Sequence, residues 1–391
     1  MTPTSLPESV SRGARAPVPP DASQAPGRRW LADFHPGWFG AVMGTAVIGI
    51  IAFANPGGFS PLATPMRDLA IGATALAAAL LLVIGAPYLA RWILYPRAAW
   101  ADLGNPMVGP LHGTFPGAIL VLAAAVAVVG PQIAPTGAVL VVVEVLAAIG
   151  IPLALAVSLV FAYLLFTLDL PDTSVVNGGW FIPPVVTIIV PVVLVPLLGQ
   201  VGRPSARLLL FTGYAFWGVG FFLFLLVMGL LHDRLVTRPL PPAEMAPSLW
   251  IVLGPVGVGA SALLRLAHAA PTVLGPKAAV IGTMTLVGAA VLWGFGAWWL
   301  LVAVALHGRY LRRGGVPFGI GWWALTFPLG ALTLATVSLA SAWSLPALGD
   351  AGLGLLAGLV VIWSIVAYRT VHALVDGTAW VRPGPPQAGA T

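Results

Sequence analysis

Trp322-Trp323-Ala324-Leu325-Thr326-Phe327-Pro328-Leu329-Gly330 heads one apolar segment of the chain, and relatives of this stretch head four others. They are Phe34-His35-Pro36-Gly37-Trp38-Phe39-Gly40, Phe115-Pro116-Gly117, Trp180-Phe181-Ile182-Pro183-Pro184 and Leu253-Gly254-Pro255-Val256-Gly257. Their prolines Pro36, Pro116, Pro183, Pro255 and Pro328 lie 80, 67, 72 and 73 residues apart, and each interval holds two long apolar runs. Such a period is the mark of a repeated two-helix unit. Proline is also tolerated at the start of any helix, a reading that suits Pro36 and Pro116. It suits Pro328 less, because apolar residues continue on both sides and an interior proline removes a backbone bond and bends a helix.

Hydrophobic residues fill 59% of 391 positions and charged ones 8%, with a mean hydropathy of +0.97. No soluble domain of this size has that balance, so the chain reads as an all-α protein crossing a lipid bilayer many times. The net charge of +6 does not describe a nucleic-acid surface, since the 18 basic residues fall in short clusters at the ends of apolar runs. With no cysteine, disulfides, thiolate metal sites and cysteine nucleophiles are excluded. The six histidines lack metal-ligand spacing, and no metal or cofactor is expected.

Residues 1–33, with Pro3, Pro7, Pro17, Pro19, Pro20 and Pro26, read as a disordered N-terminal arm. Arg28-Arg29 followed by an apolar run and Ala52-Phe53-Ala54 has the outline of a twin-arginine export signal, but the run is long and more apolar helix follows it. Residues 34–375 form the transmembrane domain, and 376–391 a short tail. Ten stretches are long enough to cross roughly 30 Å of hydrocarbon as helices: 36–54, 69–94, 114–130, 138–168, 179–199, 207–231, 248–268, 280–306, 317–341 and 351–374. The fourth is overlong, and Gly150-Ile151-Pro152 marks a place for it to break. If both termini are cytoplasmic, the inner side carries thirteen Lys and Arg residues and the outer side five, as basic residues accumulate inside. Trp38, Trp180, Trp250, Trp322 and Trp323 then all fall at inner helix mouths, where an interfacial aromatic belt is expected.

Ionisable residues inside membrane helices are the first functional candidates because they are costly there. Here Glu144 and Arg265 suggest a buried ion pair, read as a coupling site, as a structural pair, or as side chains near an interface whose long stems reach water. No helix carries paired carboxylates, a His-Glu metal motif or a serine with a base, so an enzyme is not indicated. A conduit without buried charge can still be built from bent helices in which proline frees a carbonyl and glycine brings backbone to the lumen. The odd-numbered helices hold the candidates, Phe39, Gly44, Phe181, Pro183, Pro184, Gly254, Pro255, Gly257, Pro328 and Gly330. Even-numbered helices are mainly Ala, Leu and Val, and would face lipid or neighbouring helices. The competing reading assigns these glycines and prolines to helix packing.

Together the motifs resemble the tellurite-resistance/dicarboxylate transporter family, which includes the bacterial TehA proteins, fungal malate and sulfite permeases, and the slow anion channels of plant guard cells. The resemblance covers roughly residues 34–375 and rests on His35-Pro36-Gly37-Trp38-Phe39-Gly40-Ala41-Val42-Met43-Gly44-Thr45, Trp180-Phe181-Ile182-Pro183-Pro184-Val185, Leu253-Gly254-Pro255-Val256-Gly257 and Trp322-Trp323-Ala324-Leu325-Thr326-Phe327-Pro328. Gly178 stands where the family pattern has a proline, and Val258 where relatives often carry a polar residue. The resemblance implies five helical hairpins around a central pore, a homotrimer with one pore per subunit, and a phenylalanine plug to which Phe327 corresponds. It implies a permease or channel for small anions in the cell membrane, with C4-dicarboxylates such as malate favoured and sulfite, tellurite-related oxyanions, chloride or nitrate as alternatives. A membrane sensor or scaffold is the rival of another class; it would call for a cytoplasmic output domain, and the inner segments are short and proline-rich.

The orientation is open to a direct test. In this cysteine-free chain, Leu311→Cys should react with a membrane-impermeant thiol reagent only after intact cells are permeabilised; labelling from outside would reverse the topology.

Overall fold

The computed structural model describes residues 29–167, 172–275 and 278–378. Ten helices are long and apolar enough to cross a membrane: α1 Pro36–Gly58, α2 Ser60–Leu94, α3 Gly109–Gln132, α4 Thr136–Thr167, α5 Gly178–Gln200, α6 Arg203–Thr237, α7 Ala243–Leu274, α8 Ala278–Arg312, α9 Ile320–Ala342 and α10 Pro346–Val375. Among the described residues there is no strand. Of the expected arm, residues 1–28 lie outside the described residues, as does the tail from 379. Arg29–Ala32 form a helical turn, whose Ala32 carbonyl accepts a hydrogen bond from Arg91 Nε at 2.8 Å.

Consecutive helices pair as hairpins, α1 with α2 through α9 with α10. The odd-numbered members also touch one another in a closed ring, in the order α1, α3, α5, α7, α9 and back to α1. The ring is the core: 67–89% of the apolar stretch of each odd helix is buried, against 22–28% for each even one. A helix hydrophobic on all sides and enclosed by others belongs to an interior, whereas the exposed Leu, Val and Phe of the even helices need a lipid solvent.

Each odd helix begins with a 3₁₀ segment that passes directly into α-helix. The α part starts at Thr114, Ile182, Leu253 and Thr326 in α3, α5, α7 and α9. Pro116, Pro184, Pro255 and Pro328 are therefore all its third residue. The N–H groups of Thr114, Ile182, Leu253 and Thr326 donate to carbonyls of the 3₁₀ lead before them, so each proline sits just past the point where the lead changes into α-helix. Pro328 therefore lies within α9, at the junction of its 3₁₀ lead and its α-helical part. Two of the leads are capped by their own side chains: His35 Nδ1 accepts from Gly37 N at 3.0 Å, and Asn177 Oδ1 accepts from Gly179 N at 2.8 Å.

Two further expectations are corrected. α4 runs through Gly150-Ile151-Pro152 unbroken; a Cβ at Gly150 would lie 2.8 Å from Leu120 Cδ2, so this glycine serves the close approach of α4 to α3. Trp38, Trp180, Trp250 and Trp323 are buried in the core and form no belt at a lipid surface. Trp180, for example, donates from Nε1 to the Pro106 carbonyl at 2.8 Å.

Between lipid-bathed helices there is little hydrophobic drive to associate, so small residues and hydrogen bonds hold them together. Four indoles on the outer layer supply such bonds. Trp217 on α6 donates to the Gly259 carbonyl on α7 at 3.0 Å, and Trp293 on α8 to Thr336 Oγ1 on α9 at 2.8 Å. Trp299 on α8 donates to the Leu249 carbonyl on α7 at 2.9 Å, and Trp363 on α10 to Thr45 Oγ1 on α1 at 2.9 Å. Three of the four cross from one hairpin to the next. Within the ring, α9 reaches α1 across Gly40, where a Cβ would lie 3.0 Å from the Trp323 Cβ, and across Gly44, where one would overlap the Thr326 side chain.

A Cβ on Gly257 would overlap the backbone of Ala331 and Leu332 on α9, and backbone cannot step aside as a side-chain tip can. Gly257→Ala should lower stability in detergent by about 1–3 kcal/mol, the usual cost of overpacking. Gly294→Ala, at a lipid-facing position with nothing within 4 Å, should be neutral or slightly stabilising. Thermal unfolding of both variants beside the parent checks the pair.

Candidate functional site

The 3₁₀ leads of the five odd helices surround a cavity of about 330 Å³. Its wall includes His35, Gly37 and Gly40 of the α1 segment, Leu111 and Thr114 of α3, Asn177 and Ile182 of α5, Ser248 and Gly254 of α7, and Trp323, Phe327 and Pro328 of α9. A second, tighter space of about 30 Å³ is walled by Val47, Ile50, Val121, Ala124, Ile189, Val192, Val258, Ser261, Ala331 and Leu334, and again by Phe327. Phe327 is the one residue common to the two walls. It is 6% exposed, and a Cβ on Gly254 would lie 3.8 Å from its Cε1.

Both walls are built by helical spacing. Gly40, Met43, Val47 and Ile50 recur every three or four residues along α1, Ile182, Val185, Ile189 and Val192 along α5, and Gly254, Val258 and Ser261 along α7. Residues so spaced lie on one face of a helix, so five faces define a single axis on which the larger cavity, Phe327 and the tighter space follow in line.

The sequence candidates are divided by this axis. Gly254, Phe327 and Pro328 are on the cavity wall. Phe39 instead packs edge-on to Tyr88 at 5.1 Å and against Phe115 at 4.9 Å, and Phe181 packs on Phe224 of α6 at 5.7 Å. Gly44, Gly257 and Gly330 are spent on contacts with Thr326, the Ala331 backbone and Val47. Pro183, Pro184 and Pro255 are buried in first turns away from both walls. Glycine and proline content therefore marks the inner ring but not its lumen. The two cavity walls follow the three-and-four spacing from Gly254 and Phe327, which also picks out Ser261 and the aliphatic residues missed by composition.

No Glu144–Arg265 ion pair exists. Glu144 is exposed on α4, which packs on α3 and α5, whereas Arg265 is on α7, which packs on α5, α6, α8 and α9. The buried ion pair is Arg91 with Asp102, behind α1, where Arg91 is fully enclosed. Beside it Tyr88 Oη and His112 Nδ1 lie 2.8 Å apart.

Among the described residues, the titratable groups on the two walls are His35 and Glu244, both on the larger cavity. A surface so poor in charge does not grip an ion by pairing. The larger cavity is lined by the leads at the N-terminal ends of the five odd helices, the end at which a macrodipole places partial positive charge. No group of His, Asp and Glu able to hold a metal ion occurs among the described residues.

A model of the voltage-dependent anion channel family matches residues 33–371. An uncharacterised transporter of Methanocaldococcus jannaschii is 29% identical over 347 residues, 89% of this chain and 95% of that protein. The sulfite efflux pump of Trichophyton rubrum is 27% identical over 358 residues, 88% of this chain and 92% of the pump. The malic acid transport protein of Schizosaccharomyces pombe is 23% identical over 367 residues, 90% of this chain and 81% of that protein. Ten apolar helices, an axial path approached by five helix N-termini and these matches have one conclusion: the chain belongs to the voltage-dependent anion channel family, the tellurite-resistance/dicarboxylate transporter group that its motifs resemble, whose members are channels and transporters and not enzymes.

Proposed function

We propose that the protein is a passive or weakly coupled pathway for small anions through the cell membrane, closed at Phe327, with both termini cytoplasmic and one pathway in each subunit of a homotrimer. The observation that carries this reading is the position of the Phe327 ring, shared by a wide cavity on one side and a narrow space on the other along a single axis. An apolar plug blocks ions by keeping a constriction dry, because a desolvated anion there gains no compensating hydrogen bond. Proton coupling usually needs titratable groups at depth, and among the described residues the walls on either side of Phe327 offer His35 and Glu244, both on the larger cavity.

The same walls bear on the substrate. The desolvation cost of an ion rises with the square of its charge, so an uncharged constriction favours singly charged anions over dianions. It offers no pair of cations to hold the two carboxylates of a C4-dicarboxylate. The match to a sulfite efflux pump at higher identity than to a malic acid transport protein supports the same order. Hydrogen sulfite and comparable small oxyanions are therefore the first substrate class, and C4-dicarboxylates such as malate the second.

Phe327→Ala should raise anion conductance about tenfold or more by removing the desolvation barrier at the ring, and Phe327→Leu should raise it less. Gly44 and Phe39, which pack between helices, should give no gain when substituted. If Phe327 were a packing residue alone, Phe327→Ala would cost about 3–5 kcal/mol of stability with no added current. Recording in proteoliposomes, normalised to folded protein and run against a panel of anions with and without a pH gradient, separates the two.

A further inference from the structure

The face of α7 that lines the axis continues past the tight space. Gly254, Val258 and Ser261 are on the walls, and at roughly 100° per residue Arg265 falls within the same arc of about 60°. The other faces of α7 are already used. Ala260 and Leu263 pack with Ala289 and Leu339 of α8 and α9, and Leu266, Ala269 and Ala270 with Leu198 and Leu210 of α5 and α6. Arg265 stands four residues beyond Ser261, so about 6 Å further along the helix, and about 16 Å beyond Gly254 at the level of Phe327. It is half-buried, and among the described residues nothing forms an ion pair or hydrogen bond with it.

The neighbouring faces leave that charge unbalanced. Continuing each helical pattern by four residues beyond Ile50, Ala124, Val192 and Leu334 brings Ala54, Val128, Pro196 and Ser338 to the same level. All four are uncharged. Ser261 is 2% exposed, and its Oγ is buried without a partner. An unsatisfied buried hydroxyl and an unpaired guanidinium one turn apart are both costly in a membrane interior. Both costs are relieved by the same occupant, an anion that accepts from the guanidinium and from the hydroxyl.

We propose that Arg265 and Ser261 form a binding site for a small, singly charged oxyanion in the half of the pathway beyond Phe327. The guanidinium concentrates anions at that mouth and holds one in a forked contact. The Ser261 hydroxyl replaces part of its hydration as it advances to the ring. The site rests on the pathway reading above and adds to it the place where an anion waits next to the gate.

The test uses the cysteine-free chain in the conducting Phe327→Ala background, with currents carried by hydrogen sulfite or nitrate across planar bilayers. Arg265→Cys should raise the half-saturating anion concentration about tenfold, in line with the gain expected from one focusing charge. Adding a trimethylammonium-ethyl methanethiosulfonate to both chambers should restore it, whereas the sulfonato-ethyl reagent should suppress the current further. Each comparison is made on the same channels before and after reagent, so a folding defect cannot imitate a response that follows the sign of the adduct. Ser261→Ala should raise half-saturation about threefold, less than loss of the charge. Equal currents with the two adducts, or a half-saturating concentration unmoved in Arg265→Cys, would overturn the site and leave the pathway intact. A Phe327→Ala parent that carries no current overturns both.

Discussion

A backbone N–H at the start of a helix has no partner within that helix, and in a membrane protein water is not always present to supply one. That constraint shapes the repeated unit of this molecule. In α3, α5, α7 and α9 the third residue of the α-helical part is proline, a residue without an N–H placed just past the change from 3₁₀ lead to α-helix. His35 and Asn177 satisfy such donors from their side chains, and the 3₁₀ leads bring the chain in at an angle that leaves the helix ends open to a common space. Residues of all five leads line the larger cavity. The same five ends carry the positive poles of their helices, the end that favours an anion.

Much of this was legible in the sequence. The five proline signatures and their intervals of 67–80 residues identify the two-helix repeat, and helix boundaries agree within a turn or two at most ends because apolar length is what a bilayer selects. The contrast between Gly- and Pro-rich odd helices and Ala-, Leu- and Val-rich even ones separates inner from outer layer. The site was read less well. Phe39, Phe181 and Gly44 have the residue types of a lumen but not its phase, and phase depends on which way each helix is turned. A glycine that lines a cavity and one that admits a neighbouring backbone have the same composition, as Gly254 and Gly257 show. Glu144 and Arg265 lie at similar depths in the sequence plot but on helices that do not adjoin, and sequence spacing carries no record of adjacency in a ring.

The two layers divide the work of folding and function. The inner helices give up flexibility at their contacts, since glycines there bring backbone against backbone, while the outer helices face lipid and are fastened to the ring by Trp217, Trp293, Trp299 and Trp363. Those indoles donate to carbonyls and hydroxyls of the inner layer, and by joining successive hairpins they fix the angle between neighbours. The spacing of the ring's helices thus rests both on the glycine contacts within it and on the outer bonds that tie the hairpins together.

The contact of α9 with α1 joins residues near 40 to residues near 325, so the ring closes only through the last hairpin. A membrane protein is threaded into the bilayer as it is synthesised, so the first four hairpins are in place before their ring can shut. Until the ninth helix arrives, Gly40 and Gly44 present a face of α1 with no partner, and the five-sided wall has a gap on one side. The axial path is therefore a late product of biosynthesis: it comes into being in one step, with the last hairpin, and an incomplete chain presents that open seam to lipid and to the machinery that surveys unassembled helices.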